Sequence, residues 1–425
     1  MLKPLFVFYS IIVLSGCGRK PASLEMPADW LNQAAVFLTY TGNPDDAKTT
    51  GKVMAVCDQL IEQVAPHLRM YILVNEEWNL DSMMRVFTKK QYNISNIQLV
   101  PVKNLFDMGV VRDYGPIIVK DKEGRRKMMR FEWNYVGADF IHPDTAWERY
   151  QTRTRDQYFT QIGKLLDMEV VRSPLVLEGG EIETNGAGTA LIVDSFNNRR
   201  NPFFTTHAVD SLLELSLGIT NVIHLREGVA EDPPPWQSRI SGNIYGYGVG
   251  GHVDEFARFV NRNTILLAMP AKEETLNDPI KKITYERMQV NYQILSAARD
   301  QDGQPFTIIE VPLPDVIPEE IRIDTTDRSH PGRFIRSDYP DLKQGDTVRF
   351  LPAVSYLNYI ILNDLVIIPK YNRAGGPASS GQKDEQVKRI FTRLFPAKKI
   401  IQLDPTGLNY VGGGFHCWTQ QVPVK

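Results

Sequence analysis

What most constrains the fold of this 425-residue chain is a succession of two strands, a helix and a strand that keeps returning. AAVFLTY, within Trp30 to Tyr40, reads as a strand, and Val53, Val56, Cys57, Leu60, Ile61 and Val64 recur at helical spacing before a strand at Met70 to Val74. Leu80, Met83, Met84 and Phe87 mark a second helix and Ile97 to Val102 a further strand, while VRDYGPIIV, Val111 to Val119, is a turn running into a strand. The order then repeats. Tyr158, Ile162, Leu165 and Leu166 give a helix ahead of a strand at Met168 to Val171, and LVLEGG and TALIVD give two strands around a glycine-rich turn. The helix of Val209, Leu212, Leu213 and Leu217 leads to the strand NVIHL, Asn221 to Leu225. GHVDEFARFV and TILLAMP pair before a long helix, about Pro279 to Arg299, and the strand FTIIEVP. SYLNYIIL and DLVIIP pair ahead of a helix through Val387, Ile390, Phe391 and Leu394 and the strand KKIIQLD.

A ββαβ unit recurring about every 60 to 100 residues predicts a repeat-built α/β domain of about five units. One chemically interesting turn falls in each: Asp113, Glu178, His252, Asn358 and Cys417. Placed around an axis, the five turns converge at its centre; two separate doubly wound domains, the alternative, leave them scattered. Two stretches exceed ordinary loop length, Glu227 to Gly250 and Pro314 to Thr347. They are candidates for lids or binding rims, or else plain surface insertions.

The N-terminus stands apart from this pattern. Lys3 is followed by the ten-residue apolar run Leu5 to Leu14, too short to span a bilayer as a helix and suited to a signal-peptide core. The ending Leu14-Ser15-Gly16-Cys17 resembles the bacterial lipobox, which implies cleavage before Cys17 and a diacylglyceryl anchor on its sulfur. The expected division is a signal peptide over 1–16, a lipidated tether over 17–27 and one domain over 28–425, held outside the cytoplasm at a membrane, in the periplasm or on the cell surface. An uncleaved signal, or a coincidental cysteine, is the plainer reading. With Cys17 so assigned and Cys57 a small buried hydrophobe, Cys417 is the remaining cysteine of three and no disulfide framework is expected. A net charge of −2 implies no general affinity for nucleic acid.

Chemistry concentrates in four motifs. In VGGGFHCWTQQ, Val411 to Gln421, three glycines free the backbone near Cys417 for close approach of a ligand. His416 is its neighbour, but adjacent residues of extended backbone face opposite ways, so His416 is expected to be structural and the base to come from elsewhere. GHVDEFARF, Gly251 to Phe259, puts His252 and Asp254 two apart, on one face if the segment is a strand. LEGGEIETNG sets Glu178 before Gly-Gly, and VRDYGP sets Asp113 before a turn; either alone is an ordinary turn acid.

In this order these motifs, with FNNRRNP at Phe196 to Pro202 and SYLNYIILNDLVIIP at Ser355 to Pro369, resemble those of the agmatine deiminase and bacterial (Porphyromonas-type) peptidylarginine deiminase family of guanidino-group-modifying enzymes. The resemblance runs from about Trp30 to the C-terminus. It implies a fivefold pseudosymmetric α/β propeller (a pentein) of ββαβ units and hydrolytic deimination of a terminal guanidinium: agmatine to N-carbamoylputrescine, or peptidyl-arginine to peptidyl-citrulline. It implies Cys417 as nucleophile, His252 as general acid/base, Asp113 and Asp254 as the carboxylates that clamp the guanidinium, and Glu178 as the acid that orients the histidine. Asn358, Gly180 and Gly414 are expected to line the substrate pocket. Val110 stands where the family often has Trp, which alters a wall of the substrate channel.

The residue types suit that reaction. A planar guanidinium pairs with carboxylates through bidentate N–H groups, and its resonance-weakened electrophilic carbon calls for a thiolate. No cofactor or metal is expected, and the seven histidines show no ligand spacing. A papain-type peptidase would need its own local cysteine signature. A non-catalytic lipoprotein that binds a cationic guanidino ligand would need the aspartates but not Cys417, His252 and Glu178. Glu178 favours agmatine, whereas export favours peptides or scavenged substrates. Arginines between Arg322 and Arg336 are candidates for a peptide's terminal carboxylate, or solvated loop charges.

Overall fold

The computed structural model describes residues 24–41, 47–103, 109–133, 145–233, 238–246, 248–315, 318–324, 326 and 342–425. The expected signal peptide over 1–16, Cys17 and most of the Arg322 to Arg336 stretch lie outside them.

Strands β1 (Gln33–Thr39), β2 (Arg69–Asn75) and β3 (Ile97–Val102) form a parallel sheet connected through helices α1 (Ala47–Val64) and α2 (Leu80–Lys89). A one-turn helix, α3 (Val111–Tyr114), opens the next unit. There β4 (Ile117–Lys120) pairs antiparallel with β5 (Arg126–Glu132), and α4 (Thr145–Leu166) returns the chain to β6 (Glu169–Val176), parallel to β5. The scheme repeats with β7 (Glu183–Thr184), β8 (Thr189–Val193), helices α5 (Asp194–Arg200) and α6 (Thr206–Leu217), and β9 (Asn221–Leu225).

After β10 (Arg239–Ser241) and β11 (Ile244–Gly246) it returns with β12 (Ala257–Asn261), β13 (Thr264–Ala268), α7 (Pro279–Ala297) and β14 (Thr307–Val311). After β15 (Glu319–Arg322) and β16 (Thr347–Leu351) it closes with β17 (Ile360–Ile361), β18 (Leu365–Pro369), α8 (Ser380–Leu394) and β19 (Lys399–Leu403). A last one-turn helix, α9 (Thr406–Asn409), precedes β20 (Thr419–Pro423), which pairs antiparallel with β1 and gives the first unit its missing strand.

The strands read as nearly unbroken apolar runs because both of their faces are covered. In β1, Val36 and Leu38 pack with Val56, Leu60 and Ile61 of α1, while Ala35 and Phe37 face a second cluster with Tyr114, Tyr158 and Ile162. In β18, Leu365 and Ile367 join the first of these clusters, and Val366 and Ile368 face that of Phe259, Ile265 and Met288. Period-two alternation therefore assigns each strand to two hydrophobic layers at once. Cys57 is one of the buried residues of α1, as expected, its thiol donating to Thr39 O at 3.4 Å.

Several local expectations change. Asp113, expected just before a turn, lies within the one-turn helix α3. LVLEGG is not a strand throughout: β6 stops at Val176, and the glycines precede both strands of the next pair. His252 and Asp254 do not share a strand face, since 253–255 form a 3-10 turn and β12 begins at Ala257. The first long stretch pairs with β16, the strand that begins where the second one ends. Their strands make an added sheet, ordered β10-β11-β16-β15, over a small core of Tyr245, Ile321, Ile323, Val348 and Phe350.

Candidate active site

Turns from separate units meet around one buried point. Helix α3 is tied to the C-terminal motif by Arg112 N–H donating to Cys417 O at 3.0 Å, which sets Asp113 beside the cysteine. Both carboxylate oxygens of Asp113 are buried and have no hydrogen-bond partner. From the bend after β6, Glu178 meets His252 Nε2 at 2.8 Å and forms an ion pair with Arg200 of α5. Phe196 of the same helix packs edge-on against the His252 ring, with centroids 4.8 Å apart, leaving Nδ1 unpartnered 3.7 Å from Asp113.

The 3-10 turn rather than a strand turns Asp254 toward the same point, with its N–H on Gly180 O at 3.2 Å. Asp254 Oδ2 is 2.6 Å from His416 Nδ1 and 3.7 Å from Cys417 Sγ, and Oδ1 is unpartnered. His416 Nε2 is 2.9 Å from Asp29 Oδ2. Both ring nitrogens thus face carboxylates, so His416 holds Asp254 and has no nitrogen free to take the thiol proton. That agrees with the expectation for His416, although the backbone at Cys417 is a turn and not extended.

Asn358 governs the nucleophile. Its Oδ1 accepts from the N–H groups of His416 (2.8 Å) and Cys417 (3.3 Å), and its Nδ2 lies 3.0 Å from Sγ and 2.6 Å from Glu255 Oε1. A Cβ at Gly414 would come within 2.5 Å of Asn358 Oδ1, so glycine there makes room for the amide. A Cβ at Gly180 would stand 2.6 Å from His252 Nδ1 and 3.0 Å from both Asp113 Oδ1 and Asp254 Oδ2. The glycine leaves open the space that the unpartnered His252 Nδ1 and Asp113 Oδ1 face.

Electrostatics follow from that crowding. Burial alone pulls the His252 imidazolium down, but Asp113 and Glu178 outweigh it and raise its pKa to about 10. Burial would raise Glu178, yet Arg200 and His252 hold it down at about 2. Burial, Glu178 and Asp254 raise Asp113 well above the usual carboxylate range, against the pull of His252. Burial together with Asp254, Asp113 and Glu255 raises the Cys417 thiol. The centre therefore sets a thiol beside an imidazolium among buried acidic groups. A planar guanidinium has N–H groups that match the unpartnered oxygens of Asp113 and Asp254.

Two sets of side chains have ligand atoms within 4.8 Å of one another, Asp113, Glu178 and His252, and Asp254, Glu255 and Cys417. Glu178 and His252 are already bonded to each other, and Glu178 also to Arg200, so the first set offers little to a metal.

All five predicted catalytic residues stand at this point. Residues outside the sequence expectation are Glu255, 3.9 Å from Sγ; Arg200, which lies within the FNNRRNP segment; and Asp29. Glu255 had a signal in its place directly after Asp254, whereas nothing local to Asp29 points to a histidine 387 positions away.

The sequence model of the Porphyromonas-type peptidyl-arginine deiminases matches residues 25–423. The chain belongs to that family. Members of this deiminase family are hydrolases acting on C–N bonds. Its sequence is 24% identical over 413 residues to the agmatine deiminase of Pseudomonas fluorescens SBW25, covering 94% of this chain and 95% of that one. It is 25% identical over 411 residues to that of Ectopseudomonas mendocina, covering 94% and 95%. The fold matches the solved agmatine deiminase of Enterococcus faecalis with a TM-score of 0.71 at 23% identity, over 96% of this chain and 98% of that one. Its mixed α/β fold is thus the fold of that solved agmatine deiminase.

Proposed function

We propose that the protein hydrolyses a terminal guanidinium group to a ureido group and ammonia. The observation that carries this is the set of unpartnered buried atoms, Asp113 Oδ1 and Oδ2, Asp254 Oδ1 and His252 Nδ1, gathered beside Cys417 Sγ. Asp113 and Asp254 bind the planar cation, whose charge offsets theirs and favours the Cys417 thiolate, the thiol proton leaving to solvent because His252 already carries one. Sulfur attacks the central carbon and forms a C–S bond. The C–N bond to the leaving nitrogen breaks as His252, an imidazolium held by Glu178, protonates it to ammonia. His252 then takes a proton from water, whose oxygen attacks the thiouronium carbon; the C–S bond breaks as the remaining hydroxyl proton passes to the sulfur, and the ureido product leaves with the thiol and the imidazolium restored.

The substrate class is a guanidinium on a slender alkyl chain. Cys417, His252 and Asp254 are fully buried, which suits agmatine or an arginine side chain presented on a flexible peptide. Ammonia and ureido product are to be measured with agmatine, free arginine, and peptides carrying terminal or internal arginine. Release from none of them overturns the reading.

The finer architecture, a fivefold propeller with the site on its axis, is supported by five sheets of one scheme and by strands shared between neighbouring hydrophobic clusters. Membrane attachment through Cys17, outside the cytoplasm, rests on the lipobox-like ending; among the described residues no helix is long and apolar enough to cross a membrane. The full chain is expected to partition into the detergent phase in a Triton X-114 separation, and its Cys17→Ala variant into the aqueous phase. Identical partitioning of the two removes the anchor.

A further inference from the structure

The carboxylate of Asp232, at the root of the first insertion, accepts four hydrogen bonds from four consecutive backbone N–H groups. Oδ1 takes Val249 (2.5 Å) and Gly250 (3.0 Å), and Oδ2 takes Gly251 (2.8 Å) and His252 (3.0 Å). Successive N–H groups converge on one anion only where the backbone curls, and Gly250 (φ 106°) and Gly251 (φ 96°) supply the positive φ angles that curl needs. The Gly-Gly before His252 therefore serves less to admit a ligand than to wrap the chain around Asp232. A side chain at Gly248 would overlap Asp232 Oδ1, so that glycine clears the same carboxylate.

Asp232 is itself anchored. The preceding residues hold Thr284 of α7, whose hydroxyl accepts from Ala230 N at 2.9 Å and donates to Glu231 Oε2 at 2.6 Å. Just beyond it the chain enters the added sheet, where Gly246 N–H donates to Ser238 O at 2.9 Å. The His252 ring is fixed by Glu178 and Phe196, neither of which holds its main chain.

We propose that Asp232 is a positioning residue for His252, the element through which α7 and the inserted sheet set the reach of the imidazole toward the leaving nitrogen. This rests on the reading of His252 as the acid and base of deimination. A carboxylate buried among four N–H groups cannot be replaced by an amide without turning an NH2 group on two of those donors. The His252 backbone must then shift while Cys417, held by Asn358, stays in place.

The test is Asp232→Asn in the full chain. The expected result is a kcat lower by roughly 10- to 100-fold with KM little changed, the effect of a small displacement of a proton-transfer group. The limb of the pH–rate profile that belongs to His252 should move toward acid, because a nearby negative charge is gone. Alkylation of Cys417 by iodoacetamide should keep the wild-type rate. An unchanged kcat and pH limb overturns the proposal, and so does a parallel loss of kcat, alkylation and melting temperature, which marks a merely structural role. A readout independent of turnover is the NMR signal of the His252 Nε2 proton bonded to Glu178. It should shift or broaden in D232N, and an unchanged signal counts against Asp232 even if the wild type deiminates nothing. If D232N does not accumulate, Asp232→Glu keeps the charge but displaces it by one methylene and should show the same fall in kcat and the same disturbed Nε2 signal. If neither variant accumulates, Asp232 is structural and the proposal fails.

Discussion

Cys417→Ala should release no measurable ammonia from any guanidino compound that the wild type deiminates. Removing a nucleophile without a substitute costs on the order of 10⁴- to 10⁶-fold in kcat, and no other described cysteine lies near, since Cys57 is buried beside Thr39. Binding should survive, because Asp113 and Asp254 are untouched and their unpartnered oxygens still seek a cation. The variant is therefore expected to bind agmatine in a calorimetric titration at least as tightly as the wild type binds a non-reactive analogue. Wild-type enzyme quenched in acid during turnover should carry an adduct on the peptide containing Cys417, and the variant none. Turnover by the alanine protein, or an adduct on another residue, would sink the covalent route. A purely ligand-binding protein would bind alike in both forms with no ammonia from either, and a peptidase would cut the peptide substrates instead.

The repeat is legible in the sequence because units that pack on both faces leave long apolar runs. AAVFLTY, TILLAMP and DLVIIP have no other economical reading, and each falls where a strand is found. Strand β5 is not legible in this way. Its sequence RKMMRFE mixes four charged residues with three apolar ones without a period of two, and it joins the core because Arg130, nearly fully buried, finds Glu132 and Asp156 as ion partners. Strand β20 hides behind the cysteine motif, and only its pairing with β1 reveals that the chain's two ends complete one sheet. The added sheet is non-local in the same sense. Ile244 pairs with Arg349, a register that neither segment announces alone.

The site shows the same division. Identities are local and legible: Cys417 after three glycines, His252 and Asp254 together, Glu178 before Gly-Gly. Orientation is not, because it comes from partners far along the chain. The His252–Asp254 spacing suggests one face of a strand, yet the 3-10 turn and the Asp232 carboxylate bring them to the cysteine. Asn358 is expected to line the substrate pocket, whereas in the structure its amide bonds are to the nucleophile segment and to Glu255. What the sequence cannot express is the crowding of three acidic side chains, Asp113, Asp254 and Glu255, around one buried thiol, which makes ionisation there unfavourable.

That crowding leads to the second large effect, at Asp113. The change Asp113→Asn removes a buried carboxylate that has no hydrogen-bond partner and stands near Glu178 and Asp254. Activity and stability should move in opposite directions. The guanidinium loses one of its two anionic partners, so kcat/KM for agmatine should fall roughly 10²- to 10³-fold, the cost of truncating one side of a buried charge pair. Stability should rise, by about 1–3 kcal/mol above neutral pH, the usual penalty of a buried polar group left unsatisfied. The sign follows from linkage: Asp113 binds its proton more tightly folded than unfolded, so between the ordinary carboxylate pKa and its raised value the native state holds more protons. Wild-type stability therefore falls as pH rises through that window, and the asparagine, which resembles the protonated acid, does not share the loss. Urea denaturation at pH 4 and pH 8 checks it: the two proteins should be close in stability at pH 4, and D113N the more stable at pH 8. A variant less stable than wild type at pH 8, or one that keeps agmatine turnover within about threefold, would show that Asp113 carries no charge held in reserve for the substrate.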